Sequence, residues 1–215
     1  GNSVENIYDG LLGGGQWVSK SKIDSRLYET DIVDGILSNP GETRTREQIE
    51  LCCSIGLIGE LAVASKLGGI LNPQEFDLAD RHSYGWDVLD TRHDLKLEIK
   101  NHGKKWFDYA KKDLQVLFRN IESGCMDYIV TTKVVQLKEE VPGFQVWPRL
   151  VINPKTFRRY LHDSKTDSTK QYYNHYHAMA AGECFEFNEH LECNTVYKPA
   201  QPWYNSNNDK FAKAQ

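Results

Sequence analysis

Asp87, Glu98 and Lys100 lie close together in the stretch WDVLDTRHDLKLEIKN, residues 86–101. Two ionised carboxylates brought face to face repel each other, so such a pair either raises one pKa or holds a cation between its members. Carboxylate oxygens are hard ligands, which suit Mg²⁺ or Mn²⁺ better than zinc. Mg²⁺ takes one or two carboxylates and keeps several waters, and Lys100 would stand beside such a water. These residue types therefore predict a divalent metal site.

A β-hairpin would bring the two acids together. Residues 84–90 and 95–100 both alternate apolar and polar side chains, and a polar loop separates them. Pairing Asp90 with Leu95 puts the apolar side chains of both strands on one side of the sheet. A one-residue slip destroys that agreement, so the apolar pattern predicts the register.

The same register sets Asp87 directly opposite Glu98 on the second face of the hairpin, together with Lys96 and Lys100. A metal site is one interpretation of this face. The alternative is a solvated strand face on which the lysines neutralise the acids, and both interpretations fit the spacing.

A second candidate acid lies in a predicted core helix. Residues 46–67 follow a capping box at Thr45 and end at Gly68-Gly69, the signals of a helix start and stop. The segment 51–65 is apolar nearly all round, which is typical of a buried helix, and Glu60 is its lone charge. A buried carboxylate needs a partner. That partner is an arginine, a backbone amide, or the same metal site or its water.

The segment after the hairpin combines predicted structure with positive charge. The pattern predicts a helix from about Trp106 to Glu122 and a strand over residues 127–135. Between Lys96 and Asn120 there are seven Lys or Arg and three Asp or Glu, on a chain of formal net charge -4. Lysines at a helix entrance could hold phosphates, although a solvated helix face would have the same composition.

The order of these elements resembles the PD-(D/E)xK, or restriction-endonuclease-like, nuclease superfamily over residues 45–135. The matching residues are Asp87 and the tripeptide Glu98-Ile99-Lys100. Glu60 matches the acidic residue that these nucleases often carry on their first core helix. Trp86 stands where the family name has a proline, which many members lack.

The resemblance implies an α/β fold with a restriction-endonuclease-like core, a central mixed β-sheet flanked by helices in the order α-β-β-β-α-β. It implies a metal-dependent endonuclease that hydrolyses phosphodiester bonds of DNA. Asp87, Glu98 and the backbone carbonyl of Ile99 would hold Mg²⁺, with Mn²⁺ able to substitute, and Glu60 would complete the shell or help to bind a second ion. Lys100 would orient or deprotonate the attacking water. The residues expected to contact phosphates are Lys96, His102, Lys104 and Lys105.

Two further expectations concern assembly and activity. By fold analogy, cutting both strands favours a homodimer with two sites related by a twofold axis. The rival function is a non-catalytic nucleic-acid-binding or scaffold protein that retains the nuclease fold. The complete set of two acids and a lysine argues against that rival, because a pure binder does not need it.

The composition predicts a single domain over residues 1–215. We assign residues 1–44 to a helical extension, 45–135 to the nuclease core and 136–215 to a C-terminal elaboration. The extension is expected to contain helices around 23–37, and the elaboration a strand at 144–152 and a short helix at 154–162.

The composition also bears on location. No apolar run approaches the ~20 residues that a membrane span needs, and no secretion pattern begins the chain, so we expect a cytoplasmic protein without membrane contact. Five cysteines, two of them adjacent in the predicted core helix, argue against a disulfide framework. The net acidity argues against a general nucleic-acid coat protein but not against a nuclease.

Overall fold

The computed structural model describes residues 3–29, 31–72, 85–102, 107–137 and 143–189. These residues form a seven-stranded mixed sheet and a smaller three-stranded sheet. The helices and strands are, in chain order, α1 (Ser3–Leu11), β1 (Gln16–Ser19), α2 (Lys20–Glu29), α3 (Ile32–Leu37), α4 (Arg46–Leu67), β2 (Ile70–Leu71), β3 (Val88–Asp90), β4 (Leu95–Asn101), β5 (Phe107–Ala110), α5 (Lys111–Glu122), β6 (Tyr128–Leu137), β7 (Gly143–Ile152), a 3-10 helix (Pro154–Tyr160), β8 (Leu161–Asp163), β9 (Lys170–Tyr173), α6 (His175–Ala180) and β10 (Cys184–Glu186).

The larger sheet has the strand order β1-β7-β6-β4-β3-β2, and β10 also pairs with β7. Strands β4 and β6 are parallel, whereas the other strand pairs are antiparallel. The predicted mixed sheet flanked by helices is confirmed. The elements α4, β2, β3, β4, α5 and β6 follow the order α-β-β-β-α-β, and β5 is an additional strand that belongs to the smaller sheet, β5-β9-β8.

Helix α4 has the predicted bounds and packs across one face of the larger sheet. The Thr45 hydroxyl accepts from the Gln48 amide, and the Gln48 side chain accepts from the Thr45 amide, so both halves of the capping box are present. Gly68 ends the helix in the left-handed region, with φ 64°, a conformation that favours glycine. All side chains from 57 to 64 are buried, whereas Cys52 near the start is exposed. The helix is therefore buried on all sides over residues 57–64, whereas its first half buries Ile49 and Ser54 and leaves other residues at least partly exposed.

By length and composition alone, α4 would pass as a membrane span, contrary to the sequence expectation. In the structure its apolar side chains pack against the sheet and against α1, α2 and α3. This is the environment of the central helix of a globular core.

The two faces of the larger sheet carry separate apolar clusters because side chains alternate along each strand. Val130 and Val151 face α4, whereas Ile129, Leu150 and Ile152 belong to a cluster with α5, the 3-10 helix and the smaller sheet. Glu98 pairs with Ile129 and Ile99 with Val130. Glu98 therefore faces the α5 side, and Ile99 faces α4.

Residues 106–122 do not form the single helix that the sequence predicted. Residues Phe107–Ala110 form β5, which pairs with Lys170–Tyr173 of β9, and α5 begins only at Lys111. The β-pairing partner lies about sixty residues further along the chain, so the local pattern could not reveal it, whereas Phe and Tyr in the segment favour a strand.

Other expectations are confirmed with adjustments. The strands predicted at 127–135 and 144–152 are β6 and β7, and the helix at 154–162 is a 3-10 helix. The helical region 23–37 is divided between α2 and α3, and β1 was not predicted. The four cysteines in the described part of the chain form no disulfide there.

A β-bulge explains how β7 accommodates Pro148. Thr131 pairs with Leu150 and Thr132 pairs with Pro148, so Arg149 is the extra residue of the bulge. Proline has no amide hydrogen to donate to a strand ladder, and the bulge interrupts the regular hydrogen bonding next to Pro148.

Candidate active site

The β3–β4 hairpin has the predicted register. Asp90 pairs with Leu95 and Val88 with Leu97. The first strand is shorter than predicted, because β3 begins only at Val88, and Asp87 lies one residue before it, close enough to Glu98 for their charges to interact. Asp87 and Glu98 are only 8% and 7% exposed. The alternative of a solvated strand face is therefore wrong for the two acids, although Lys96 on the same face is exposed. Asp90, buried on the apolar side, binds His93 in the turn at 2.8 Å.

Hydrogen bonds from two neighbouring segments fix Asp87 where the chain enters β3. Its Oδ2 accepts from the Ile99 amide at 2.7 Å, and its own amide donates to the Leu97 carbonyl at 2.8 Å. Its carbonyl accepts from the Asn72 amide at 2.9 Å. The carboxylate is thus held against β4 by main-chain groups.

Glu98 lies on β4, between β3 and β6, and its carboxylate is strongly perturbed. Burial, and then the negative charge of Asp87, raise the pKa of Glu98 to about 8. The Lys100 ammonium lies 3.0 Å from Glu98 Oε1 and offsets this rise only in part. Within the described residues, the buried Oε2 atom of Glu98 accepts no hydrogen bond. The Asp87–Glu98 pair therefore brings two buried carboxyl groups together beside the Lys100 ammonium.

Lys100 is held between Glu98 and an aromatic ring. Its side chain is 22% exposed, and its ammonium lies 5.3 Å from the centroid of the Tyr109 ring. Burial lowers the pKa of Lys100, but Glu98, Tyr109 and Asp87 together outweigh burial, so its pKa is raised above the ordinary value. The lysine is a cation at neutral pH.

The two carboxylates form a donor set that fits a hard divalent cation. Both are buried and rich in oxygen, and Glu98 Oε2 has a lone-pair side without a hydrogen-bond donor in the described structure. Mg²⁺ needs only one or two carboxylates because water completes its octahedron. No group of three or more His, Cys, Asp or Glu side chains in the described part of the chain is close enough to hold a metal.

Glu60 is buried, with 6% exposure, in the fully buried half of α4. A Cβ on the preceding residue, Gly59, would come within 3.1 Å of the Ile99 side chain and 2.9 Å of Thr132 Oγ1. The helix therefore approaches β4 closely at the level of the Glu98-Ile99-Lys100 tripeptide. Glu60 does not join Asp87 and Glu98 in a three-acid cluster among the residues described.

The residues expected to contact phosphates have different positions. Lys96 is exposed on β4, whereas Lys104 and Lys105 lie outside the described residues. His102 is in the interior, with 2% exposure: its Nδ1 lies 3.2 Å from Thr131 Oγ1 and its ring packs against Phe107. A surface phosphate contact requires a more exposed side chain than His102 has here.

Comparison with known proteins assigns the chain to a family. The family model for bacteriophage T4 endonuclease IV matches residues 15–173. The chain belongs to the bacteriophage T4 endonuclease IV family. The matched region includes Asp87, Glu98, Lys100 and Glu60, and membership of an endonuclease family supports the expectation of a nuclease. No curated protein matches the chain.

Sequence reasoning missed two residues beside the site of this endonuclease-family chain. Tyr109 was assigned to a helix, and only its aromatic, strand-favouring side chain indicated otherwise. Arg149 is buried at the β-bulge, where it donates to the His102 carbonyl at 3.1 Å. Pro148 was the only signal for an irregular strand at that point.

Proposed function

We propose that this endonuclease-family chain is a metal-dependent deoxyribonuclease that hydrolyses phosphodiester bonds within DNA. The observation that carries the proposal is the buried Asp87–Glu98 pair with the Lys100 ammonium 3.0 Å from Glu98. Two hard-oxygen ligands and one cation next to each other match the needs of phosphodiester hydrolysis. The alternative is a structural salt-bridge network of the same side chains, which would not need Mg²⁺.

We further propose that the fold is of the PD-(D/E)xK type. The α-β-β-β-α-β order around the larger sheet supports this assignment. The parallel β4–β6 pair supports it too, as do the positions of Asp87 just before β3 and of Glu98-Ile99-Lys100 on β4. Glu60 lies on α4, which packs on the face of the sheet opposite to that of Glu98, so its part in the metal shell stays a prediction.

Asp87, Glu98 and the Ile99 carbonyl are the groups that would hold Mg²⁺ or Mn²⁺. When bound, such an ion lowers the pKa of a coordinated water and polarises the scissile phosphate. The main-chain hydrogen bond from Ile99 orients the Asp87 carboxylate, and burial of both acids limits their motion. The protein therefore presents its ligands in a fixed arrangement.

Lys100 acts as a positive charge in this proposal. Because the pKa of Lys100 is raised, its ammonium stays protonated at neutral pH. A protonated lysine donates hydrogen bonds to a water or a phosphate oxygen, and it offsets the negative charge that builds up on the phosphorane. The alternative role, removal of a proton from the attacking water, would require the neutral amine.

DNA as the substrate and a twofold homodimer are parts of the same proposal. The family name specifies an endonuclease, and the exposed Lys96 beside the site supports a polyanionic substrate. Sedimentation of the protein with and without a DNA duplex tests the dimer.

Cleavage of closed-circular plasmid tests the function, because only an endonuclease can open a circle. Wild-type protein, Glu98→Ala and Glu122→Ala are compared in EDTA, Mg²⁺ and Mn²⁺. Glu122 is the matched control, an exposed glutamate on α5 with a side chain 70% exposed. We expect metal-dependent nicking by the wild type and Glu122→Ala, and none by Glu98→Ala. No cutting with either metal, together with no Mg²⁺-dependent rise in melting temperature, would favour the non-catalytic alternative.

A further inference from the structure

Tyr109 is the side chain that links the smaller sheet to the candidate active site. It lies on β5 opposite Gln171 of β9. Two residues before it, Phe107 is 2% exposed in the core, and the Phe107 and Tyr109 rings make an edge contact at 5.9 Å. The strand ladder and this ring contact fix the Tyr109 ring on the side of β5 that faces the larger sheet.

The Lys100 ammonium lies 5.3 Å from the Tyr109 ring centroid. That distance is within the range of a cation–π interaction, about 6 Å. Lysine has a flexible four-carbon stem, so one ion pair with Glu98 leaves its ammonium many alternative positions.

We propose that Tyr109 is a positioning residue that holds the Lys100 ammonium beside Glu98, so that the cation faces the reacting phosphate. The catalytic use of this position rests on the proposed nuclease function, whereas the restraint on Lys100 does not. Tyr109 contacts Lys100 from a different sheet, so its restraint on the ammonium adds to that of the ion pair within β4.

The first test measures the restraint without requiring activity. Wild-type protein and the variants Tyr109→Leu, Tyr109→Phe and Tyr28→Leu are treated with a limiting amine-acetylating reagent. Acetylation at Lys100 is quantified by mass spectrometry relative to the exposed Lys112. Tyr28 is the matched control, because this tyrosine is 74% exposed.

We expect Tyr109→Leu to increase Lys100 acetylation by about threefold to tenfold, the factor that loss of a partly desolvated cation–π contact gives. Tyr109→Phe keeps the ring and should show a smaller increase, and Tyr28→Leu should match the wild type. Wild-type reactivity of Lys100 in Tyr109→Leu would overturn the proposal. Faster acetylation of every lysine, with a lower melting temperature, would also overturn it, because Tyr109 would then support the fold alone.

The second test uses plasmid nicking to separate kcat from KM. A misplaced Lys100 loses an interaction with the transition state, so Tyr109→Leu should reduce kcat by about tenfold and leave KM nearly unchanged. Tyr109→Phe should restore part of the rate. A rise in KM with unchanged kcat would contradict the positioning role. If the wild type itself cuts no DNA, the nuclease proposal fails, and the acetylation test still decides whether Tyr109 restrains Lys100.

Discussion

The main-chain amide of Ile99 donates a 2.7 Å hydrogen bond to the carboxylate of Asp87. The middle residue of the Glu98-Ile99-Lys100 tripeptide therefore holds the acid that lies one residue before the neighbouring strand, β3. This hydrogen bond fixes the orientation of the Asp87 carboxylate relative to Glu98 without any ligand. Such preorganisation of side chains is what an active site requires.

Asp87→Asn should distinguish the role of the Asp87 charge from the structural role of the hydrogen bond that its side chain accepts. Asparagine keeps an oxygen that can accept from the Ile99 amide, and it removes the charge that opposes Glu98. We expect cleavage to fall by at least about a hundredfold, since a metal ligand is lost, while the melting temperature in EDTA stays at or above that of the wild type. Asp87→Ala should be less stable than Asp87→Asn, because a hydrogen bond to a charged group contributes about 1.5–3 kcal/mol. Near-wild-type cleavage by Asp87→Asn would remove Asp87 from the proposed ligands.

The raised pKa of Glu98 predicts a pH dependence of stability in the metal-free protein. Glu98 titrates near 4.5 when unfolded and at about 8 when folded, so between these values the folded state binds more protons. The free energy of unfolding from this group is greatest below about pH 4.5, falls as the pH rises, and levels off above about pH 8. Urea unfolding in EDTA across this range measures the slope. Glu98→Gln should flatten it, and an equal slope in that variant would assign the dependence to other groups.

Lys100→Met tests the charge of Lys100 while keeping an apolar stem. We expect a loss of cleavage of at least about a hundredfold with retention of DNA on a filter largely unchanged, because phosphate contacts elsewhere remain. Lys112→Met is the control, since Lys112 is exposed on α5, and it should cleave like the wild type. Wild-type cleavage by Lys100→Met would show that the role assigned to the lysine is wrong.

Two glycines of α4 give a matched pair for the packing of the helix on the site. Gly59→Ala would bring a Cβ to 2.9 Å from Thr132 Oγ1 and 3.1 Å from the Ile99 side chain, whereas Gly56 has no such neighbour within 4 Å. We expect Gly59→Ala to destabilise the fold by about 1–3 kcal/mol through overpacking. Gly56→Ala should stabilise it by about 0.5–1 kcal/mol, because alanine favours a helix interior. Urea unfolding compares them, and equal free energies of unfolding would contradict the close approach of α4 to β4.

Glu60→Gln tests whether the buried acid of α4 takes part in catalysis. Glutamine keeps the size and polarity of Glu60 and removes its charge. If Glu60 supports the metal shell, the cleavage rate should fall by about tenfold and require more Mg²⁺, as for ligands outside the first coordination sphere. Titration of the nicking rate with Mg²⁺ measures both effects. An unchanged rate and unchanged metal dependence would make Glu60 a structural residue.

Local sequence patterns predicted the parts of the site that depend on neighbouring residues. The bounds of α4 follow from its capping box and Gly68, and the hairpin register follows from the alternation around Asp90 and Leu95. Both are short-range effects, in which each residue's partners lie within a few positions in the chain.

The features that the sequence did not reveal depend on distant partners. Tyr109 belongs to a strand only because β9 pairs with it, and its contact with Lys100 requires two sheets to meet. His102 carries a side chain that suits a phosphate, yet its burial follows from Thr131 on β6 and Arg149 on β7. Such tertiary contacts outweigh local propensity.

The position of β4 in the middle of the larger sheet has a consequence for dynamics. Strands that are paired on both edges exchange their amide hydrogens only through large cooperative openings, whereas loops and termini exchange by local fluctuation. The Glu98-Ile99-Lys100 tripeptide pairs with β6 along one edge, the Ile99 amide is hydrogen-bonded to Asp87 on the other edge, and α4 packs against β4. We therefore expect these amides to exchange more slowly than those of the loops, so that local fluctuations leave the candidate site in place.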